Sequence, residues 1–132
     1  MIIDTSAIMS VLLDEPTADA ISEALTATSD VQLSAASLVE LQAVISHRGD
    51  VQLSRRADAF LKVYDVEVVD FTAEHAQIAR NAYRDFGRAS GHPARLNFGD
   101  CFSYALAYAT DKPLLYVGDD FSQTDIRSAL PR

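Results

Sequence analysis

The sequence predicts an α/β fold, a single three-layer α/β/α domain in which helices cover both faces of a mainly parallel sheet of about four to five strands. Three observations predict it. Short apolar runs at Met1–Ile3, Val31–Leu33, Val66–Val69 and Leu114–Val117 alternate with one or two helical patterns each. These runs lack polar alternation, as strands buried on both faces do. Residues 1–132 hold no internal repeat and no Pro/Gly-rich linker, which assigns the whole length to one domain.

Each element has a local reason. The run Met1-Ile2-Ile3 stops at Asp4, and a helical pattern begins there: Ile8, Val11 and Leu12 recur at i, i+3 and i+4, closing before Pro16. Thr17 is the expected N-cap of a second helix with Ile21, Ala24 and Leu25 on its apolar face. After the strand at Val31–Leu33, Ser37 opens a third helix carrying Leu38, Leu41, Val44 and Ile45, which runs out near Gly49. A fourth covers about Gln52 to Tyr64, with Leu53, Phe60 and Leu61 inward. Val66–Val69 is the third strand, and Thr72-Ala73-Glu74-His75 caps a long helix toward Phe86. From Gly87 to Asn97 no period survives, which is a loop signal. A helix from about Gly99 to Thr110, the strand Leu114–Val117 cut off by Gly118, and a short helix from Asp119 or Phe121 complete the order.

Composition narrows the function classes. With 48% hydrophobic residues and only 9 Gly and Pro together, the chain is neither disordered nor collagen-like. No apolar run approaches the roughly 20 residues that span a bilayer. Asp4 stands where a secretory leader would carry positive charge, and the single Cys101 excludes an internal disulfide, so a cytoplasmic location without membrane contact is expected. The net charge of −8 argues against an indiscriminate nucleic-acid binder, since phosphate contacts need Lys and Arg. That argument weakens where carboxylates gather around bound cations.

In parallel α/β folds the ligand site lies beyond the carboxyl ends of the strands. Asp4 ends the first strand, and Asp119 and Asp120 follow the last across Gly118. Each acid also has an ordinary explanation. Asp4 can cap the helix it precedes, although Thr5 and Ser6 can cap as well. Ser37 and Glu40 have capping-box spacing, yet Glu40 sits among Leu38, Val39 and Leu41. Asp100 suits the dipole of a first turn that Asn97 can cap, yet it is flanked by Phe98, Cys101, Phe102 and Tyr104. Between Asp119 and Asp120 the residues alone do not choose. If these acids converge, like charges share one pocket and must shift their pKa values or bind cations. Oxygen donors match a hard cation, Mg²⁺ or Mn²⁺. Zinc is not expected, because Cys101 is alone and His47, His75 and His92 lack ligand spacing with it.

The ordered set of Ile3-Asp4-Thr5-Ser6-Ala7, Glu15-Pro16, Glu40, Asn97-Phe98-Gly99-Asp100-Cys101-Phe102 and Gly118-Asp119-Asp120-Phe121 with Thr124-Asp125 resembles the PIN-domain family. More narrowly it resembles the VapC toxins of type II toxin–antitoxin pairs, over nearly the whole chain. The resemblance implies a PIN-like fold and a metal-dependent endoribonuclease. It also implies a homodimer, held inactive by a cognate VapB-like antitoxin. It places an acidic quartet on Asp4, Glu40, Asp100 and Asp120, with Asp119 as the alternative fourth acid, and lets Ser6 help hold a water. Tyr116-Val117-Gly118 departs from the family's usual polar ending of the last strand.

Such a pocket supports phosphodiester hydrolysis, with the cation at Asp4 and Asp100 and with Glu40 and Asp120 completing the set. The loop at 84–95 supplies Arg84, Arg88, His92 and Arg95, of which Arg88 and Arg95 are the candidate RNA-binding residues. The helix faces with Ile8, Val11, Ile21, Leu25, Val44 and Ile45 are expected to be mostly core, with any surplus making a dimer seam or receiving an antitoxin segment. Rivals fit less well. A phosphoryl-acceptor receiver domain needs a Lys after the last strand, whereas Lys112 precedes it. A haloacid-dehalogenase-type phosphatase needs an acid where Ser6 stands. The alternative from another class is a catalytically inactive PIN-like module that binds RNA or protein.

Overall fold

Adjacent residues of a strand face opposite ways, and the core of this protein divides along that alternation. The computed structural model describes residues 1–131; Arg132, the last residue of the expected domain, lies outside the described residues. In chain order the elements are β1 (Ile2–Ile3), α1 (Thr5–Leu12), α2 (Ala18–Thr26), β2 (Gln32–Ser34), α3 (Ala35–Arg48), α4 (Val51–Val63), β3 (Glu67–Val69), α5 (Ala73–Phe86), α6 (Asp100–Thr110) and β4 (Leu114–Leu115). A single turn of 3₁₀ helix follows at Phe121–Gln123. The sheet has the order β3-β2-β1-β4, and every pairing is parallel.

Ile3, Leu33 and Leu115 face one helical layer, where they meet Ile8 and Leu12 of α1, Ile21 and Leu25 of α2, Leu41 and Ile45 of α3, and Leu53 and Phe60 of α4. Ile2 and Leu114 face the other, against Ala79 and Ala82 of α5 and Tyr104, Ala105 and Leu106 of α6. The three-layer α/β/α arrangement follows from that division.

β4 is shorter than its apolar run Leu114–Val117, for an identifiable reason. β4 ends at Leu115 because the N–H of Val117 donates to Ser6 Oγ (3.0 Å) and not to a neighbouring strand. The outer side of β4 is covered by residues 127–129, with Leu114 N–H donating to Arg127 O (2.9 Å) and Ala129 N–H to Leu114 O (2.8 Å). β3 corrects the expectation of burial on both faces: it is the edge strand, and Val68 is 42% exposed.

Helix starts show where capping chemistry was read one turn off. α3 begins at Ala35 with Ser34 as its cap, the Ser34 hydroxyl accepting from Ala36 N–H. Ser37 therefore lies inside the helix, and its hydroxyl pairs with that of Ser103 (3.4 Å), so no Ser37–Glu40 capping box forms. Thr17 precedes α2 without a side-chain cap bond; its hydroxyl pairs with Ser10 instead. Thr72 caps α5 by accepting from His75 N–H. The loop after α5 closes on itself, Leu96 N–H donating to Phe86 O and Arg88 N–H to Leu96 O. Among the described residues no helix is long and apolar enough to cross a membrane.

The helix faces expected to be mostly core are so: Ile8, Ile21, Leu25 and Ile45 are buried. Exposed apolar side chains lie elsewhere, at Val39, Val51, Val63, Val68, Tyr83, Phe98 and Tyr108. The two-sided core predicts a sharp contrast in urea denaturation. Leu33→Ala, at a fully buried position of an inner strand, should cost roughly 2–5 kcal/mol. Val68→Ala on the exposed edge should stay within about 0.5 kcal/mol.

Candidate active site

Because every strand runs the same way, their carboxyl ends lie along one edge, and four acids come together there. Asp4 leaves β1 with its backbone N–H bonded to Leu115 O (2.9 Å), which pins it beside the end of β4. Its side chain is buried and fully engaged. Oδ2 accepts the Ser6 N–H (3.0 Å) as the cap of α1, and Oδ1 accepts the Ser103 hydroxyl (2.6 Å) from α6. Capping thus occupies one oxygen and leaves the other turned across the sheet edge.

Glu40 lies on the second turn of α3, half-buried, with Oε1 accepting the Thr5 hydroxyl (2.7 Å). Burial pushes its pKa up; the Thr5 hydrogen bond opposes this, and the charge of Asp4 adds to the rise. Asp100 opens α6 in a reciprocal bond with Asn97: its Oδ2 accepts Asn97 N–H (2.9 Å), and Asn97 Oδ1 accepts Asp100 N–H (2.8 Å). Burial pushes the Asp100 carboxyl up to about 8. The Asn97 N–H works against that shift, and the negative charges of Asp4 and Asp120 work with it.

Asp119 and Asp120, which the sequence leaves open as alternatives, differ in burial and in what they reach. Gly118 adopts φ +101°, a left-handed conformation that favours glycine. Beyond this turn Asp119 is exposed, while Asp120 is half-buried and close enough to Asp100 to hydrogen-bond its carboxyl and help push it up. The structure therefore brings Asp4, Glu40, Asp100 and Asp120 toward one another and leaves Asp119 outside.

Among the described residues none of the four acids has a basic partner. The ion pairs of the described residues join Asp30 to the N-terminus and Lys112, Arg84 to Asp85, and Arg127 to Asp111, all away from this edge. Neutral donors hold the carboxyls of Asp4, Glu40 and Asp100 in place. As they stand, no group of three or more His, Cys, Asp or Glu side chains among the described residues is drawn into a formed metal-ligand set. The donor chemistry nevertheless suits a hard divalent cation: oxygen only, anionic, with one carboxyl already competing for a proton that a cation would replace. Cys101 offers no competing nucleophile, since burial and the neighbouring Asp100 push its thiol up to about 12.

Other residues expected at the site are placed as follows. The Ser6 hydroxyl accepts from Val117 N–H, so it ties α1 to the end of β4 while its own proton remains available to donate. Arg88 and Arg95 are exposed on the loop that leads into the Asn97–Asp100 turn, and neither forms an ion pair among the described residues. Arg84 is engaged with Asp85. His92 works inside the loop, Nδ1 accepting from Ala94 N–H and its ring packing against Phe86. Sequence reasoning missed Ser103 altogether and took Thr5 for a spare cap. The available signal was a hydroxyl at i+3 from Asp100, which shares its helix face.

An apolar flank adjoins the acids. One cavity of about 630 Å³ is lined by Ala36, Val39, Glu40, Ala43, Asn97, Phe98, Gly99 and Phe102. A second, of about 550 Å³, lies on the other side of Phe98 and includes Phe71, Ala79, Arg80 and Tyr83.

Comparison with known proteins gives a consistent assignment. The PIN domain family matches residues 1–127. Ribonuclease VapC42 of Mycobacterium tuberculosis is 48% identical over 129 residues, 98% of each chain. Ribonuclease VapC28 of the same organism is 49% identical over 133 residues, 100% of this chain and 99% of the relative. In fold, the chain is similar to the crystal structure of M. tuberculosis VapC20, titled a sarcin-ricin loop cleaving toxin, with a TM-score of 0.77 at 19% identity over 98% of each chain. It is also similar to Rickettsia felis VapBC2 bound to a DNA fragment from its promoter, at 0.75 and 18%, over 96% of this chain and 94% of that one.

The raised pKa of Asp100 has a stability consequence whose sign is fixed. In the unfolded chain an aspartate loses its proton near 3.9, whereas in the folded protein Asp100 keeps it to about 8. The folded state therefore binds more protons between these values, and this contribution to stability is complete below about 4 and lost as pH rises through about 8. In EDTA, Asp100→Asn should flatten that decline. At pH 8 it should melt above wild type by at least about 1 kcal/mol, roughly 3–6 °C. Calorimetric melts across pH check it, and an unchanged slope would remove the buried-acid account.

Proposed function

The chain belongs to the PIN-domain family, and on that premise we propose that it is the toxin of a type II toxin–antitoxin pair. Its activity is that of a metal-dependent endoribonuclease, acting in the cytoplasm. The observation that carries the reading is the convergence of Asp4, Glu40, Asp100 and Asp120 at one sheet edge with no cationic partner among the described residues. The VapC ribonucleases that match the chain along nearly their full length support the substrate class and a VapB-like antitoxin as inhibitor.

Asp4 and Asp100 would hold the cation, Mg²⁺ or Mn²⁺, with Glu40 and Asp120 completing the set. When bound, it supplies positive charge to the scissile phosphate and lowers the pKa of a water. The protein's own part is positional. Ser103 and the Ser6 N–H orient the two oxygens of Asp4, Thr5 orients Glu40, and the Asn97 N–H orients Asp100. The Ser6 hydroxyl has a proton to donate to a water in the pocket. Arg88 and Arg95 contact flanking phosphates, which lets RNA approach a chain of net charge −8.

A homodimer is part of the reading. The exposed Val39, Phe98 and Tyr83, together with the two apolar cavities that meet at Phe98, support this flank of the site as the seam between copies.

Purified protein free of antitoxin should cleave a mixed RNA pool with Mn²⁺ or Mg²⁺ and not with EDTA. Asp100→Asn should lose at least about a hundredfold of the rate while remaining folded. Cleavage by Asp100→Asn at the wild-type rate would refute the site. A folded protein that neither cleaves nor binds Mn²⁺ would be the inactive binding module. Arg88→Ala and Arg95→Ala should weaken RNA binding and each reduce the slope of log K against log salt by about 0.7–0.9. In light scattering, wild type should show twice the 14.4 kDa of one chain, and Phe98→Asp should show a single chain.

A further inference from the structure

Gly99 is buried and has ordinary right-handed backbone, φ −67° and ψ −35°, which any residue adopts without strain. Alanine at such a position would normally stabilise, by restricting the unfolded chain. The other glycines are different in kind. Gly49, Gly91 and Gly118 have positive φ and open space where a β-carbon would stand, and Gly87 would meet the backbone of Tyr83 one turn back on its own helix. At Gly99 a β-carbon would fall directly on the Glu40 carboxylate, overlapping Oε2 and Cδ and lying 2.9 Å from Oε1. Glu40 comes from α3, 59 positions earlier in the chain, so helix geometry around Gly99 does not require this overlap.

The same carboxylate is held on its other side, where Oε1 accepts the Thr5 hydroxyl at 2.7 Å. Thr5 follows Asp4 directly, and Gly99 precedes Asp100 directly. Glu40 is thus held between the residue beside one aspartate and the residue beside the other. We infer that Gly99 is a positioning residue for Glu40: the space left by its missing side chain is the seat of that carboxylate between α1 and α6. A methyl group there displaces the Glu40 carboxylate, the far end of a flexible side chain, from the seat and disturbs its bond to Thr5, although the side chain itself remains. The seat is a matter of geometry; only the consequence of displacing Glu40 rests on the proposed nuclease function.

The test is a double-mutant cycle of wild type, Gly99→Ala, Glu40→Ala and the double variant, each read for Mn²⁺ affinity by titration calorimetry, RNA cleavage rate, and melting in EDTA. Gly99→Ala should weaken Mn²⁺ binding and cleavage by about tenfold or more, as loss of a supporting contact at a metal site does. It should change neither further in the Glu40→Ala background. A structural role alone would not give that non-additivity in metal affinity. In EDTA, Gly99→Ala should lower the melting temperature with Glu40 present and leave it equal or higher with Glu40 removed. If Gly99→Ala fails to fold, recovery of folding in the double variant supports the seat, and failure of both overturns it. Wild-type metal binding, cleavage and melting in Gly99→Ala would overturn it, as would an equal loss with and without Glu40. If Glu40→Ala and Asp100→Asn both cleave as wild type, the nuclease reading fails. The seat then stands or falls on the reversal in melting alone.

Discussion

Two residues of β1, Ile2 and Ile3, carry backbone pairing to β4 on one side, and Ile2 pairs to β2 on the other. Because all three strands run in the same direction, every segment leaving them does so at the same edge. The rest of the molecule depends on that constraint. It sets Asp4 beside the exit of β4 and the start of α3 beside the start of α1. It also lets α6, packed on the opposite face of the sheet, send Ser103 to Asp4. The core is divided by the same two residues, Ile3 toward α1–α4 and Ile2 toward α5 and α6, so burial of both faces holds the edge in register.

The cost of that arrangement is electrostatic. Four carboxylates near one another, partly out of water, raise each other's energy, and a lysine among them would relieve it by an ion pair. The protein instead gives three of them, Asp4, Glu40 and Asp100, neutral donors: Thr5, Ser103, the Ser6 N–H and the Asn97 N–H. Neutral donors set direction without cancelling charge. An edge built this way keeps its negative potential for whatever cation enters, and Asp100 takes up a proton in place of one as pH falls below about 8.

Much of the fold was legible because its rules are local. Periodicity of 3.6 marked six helices to within a few residues, and the apolar runs marked four strands. Errors arose where two local signals competed. Ser34 and Ser37 are both good caps, and only the end of β2 decides that Ser34 is used. Val68 belongs to an apolar run, but its exposure follows from β3 lying at the edge, which no run of residues encodes. At the acids, capping and convergence were read as rival explanations, whereas Asp4 does both with different oxygens.

The sequence by itself determined the alternation of strands and helices, the presence of acids at strand ends and helix starts, and the excess of negative charge. These rest on interactions within a few residues, whose energies the local order of side chains sets. Only the tertiary structure decided which acids meet. Asp119 and Asp120 are neighbours with the same chemistry, both following the left-handed turn at Gly118, yet Asp119 is exposed while Asp120 is half-buried and reaches Asp100. It also decided that a buried serine 99 positions away orients Asp4, and that Gly99 is empty because Glu40 fills the space. Contacts across such separations depend on how whole layers pack, and no local preference of the chain specifies them.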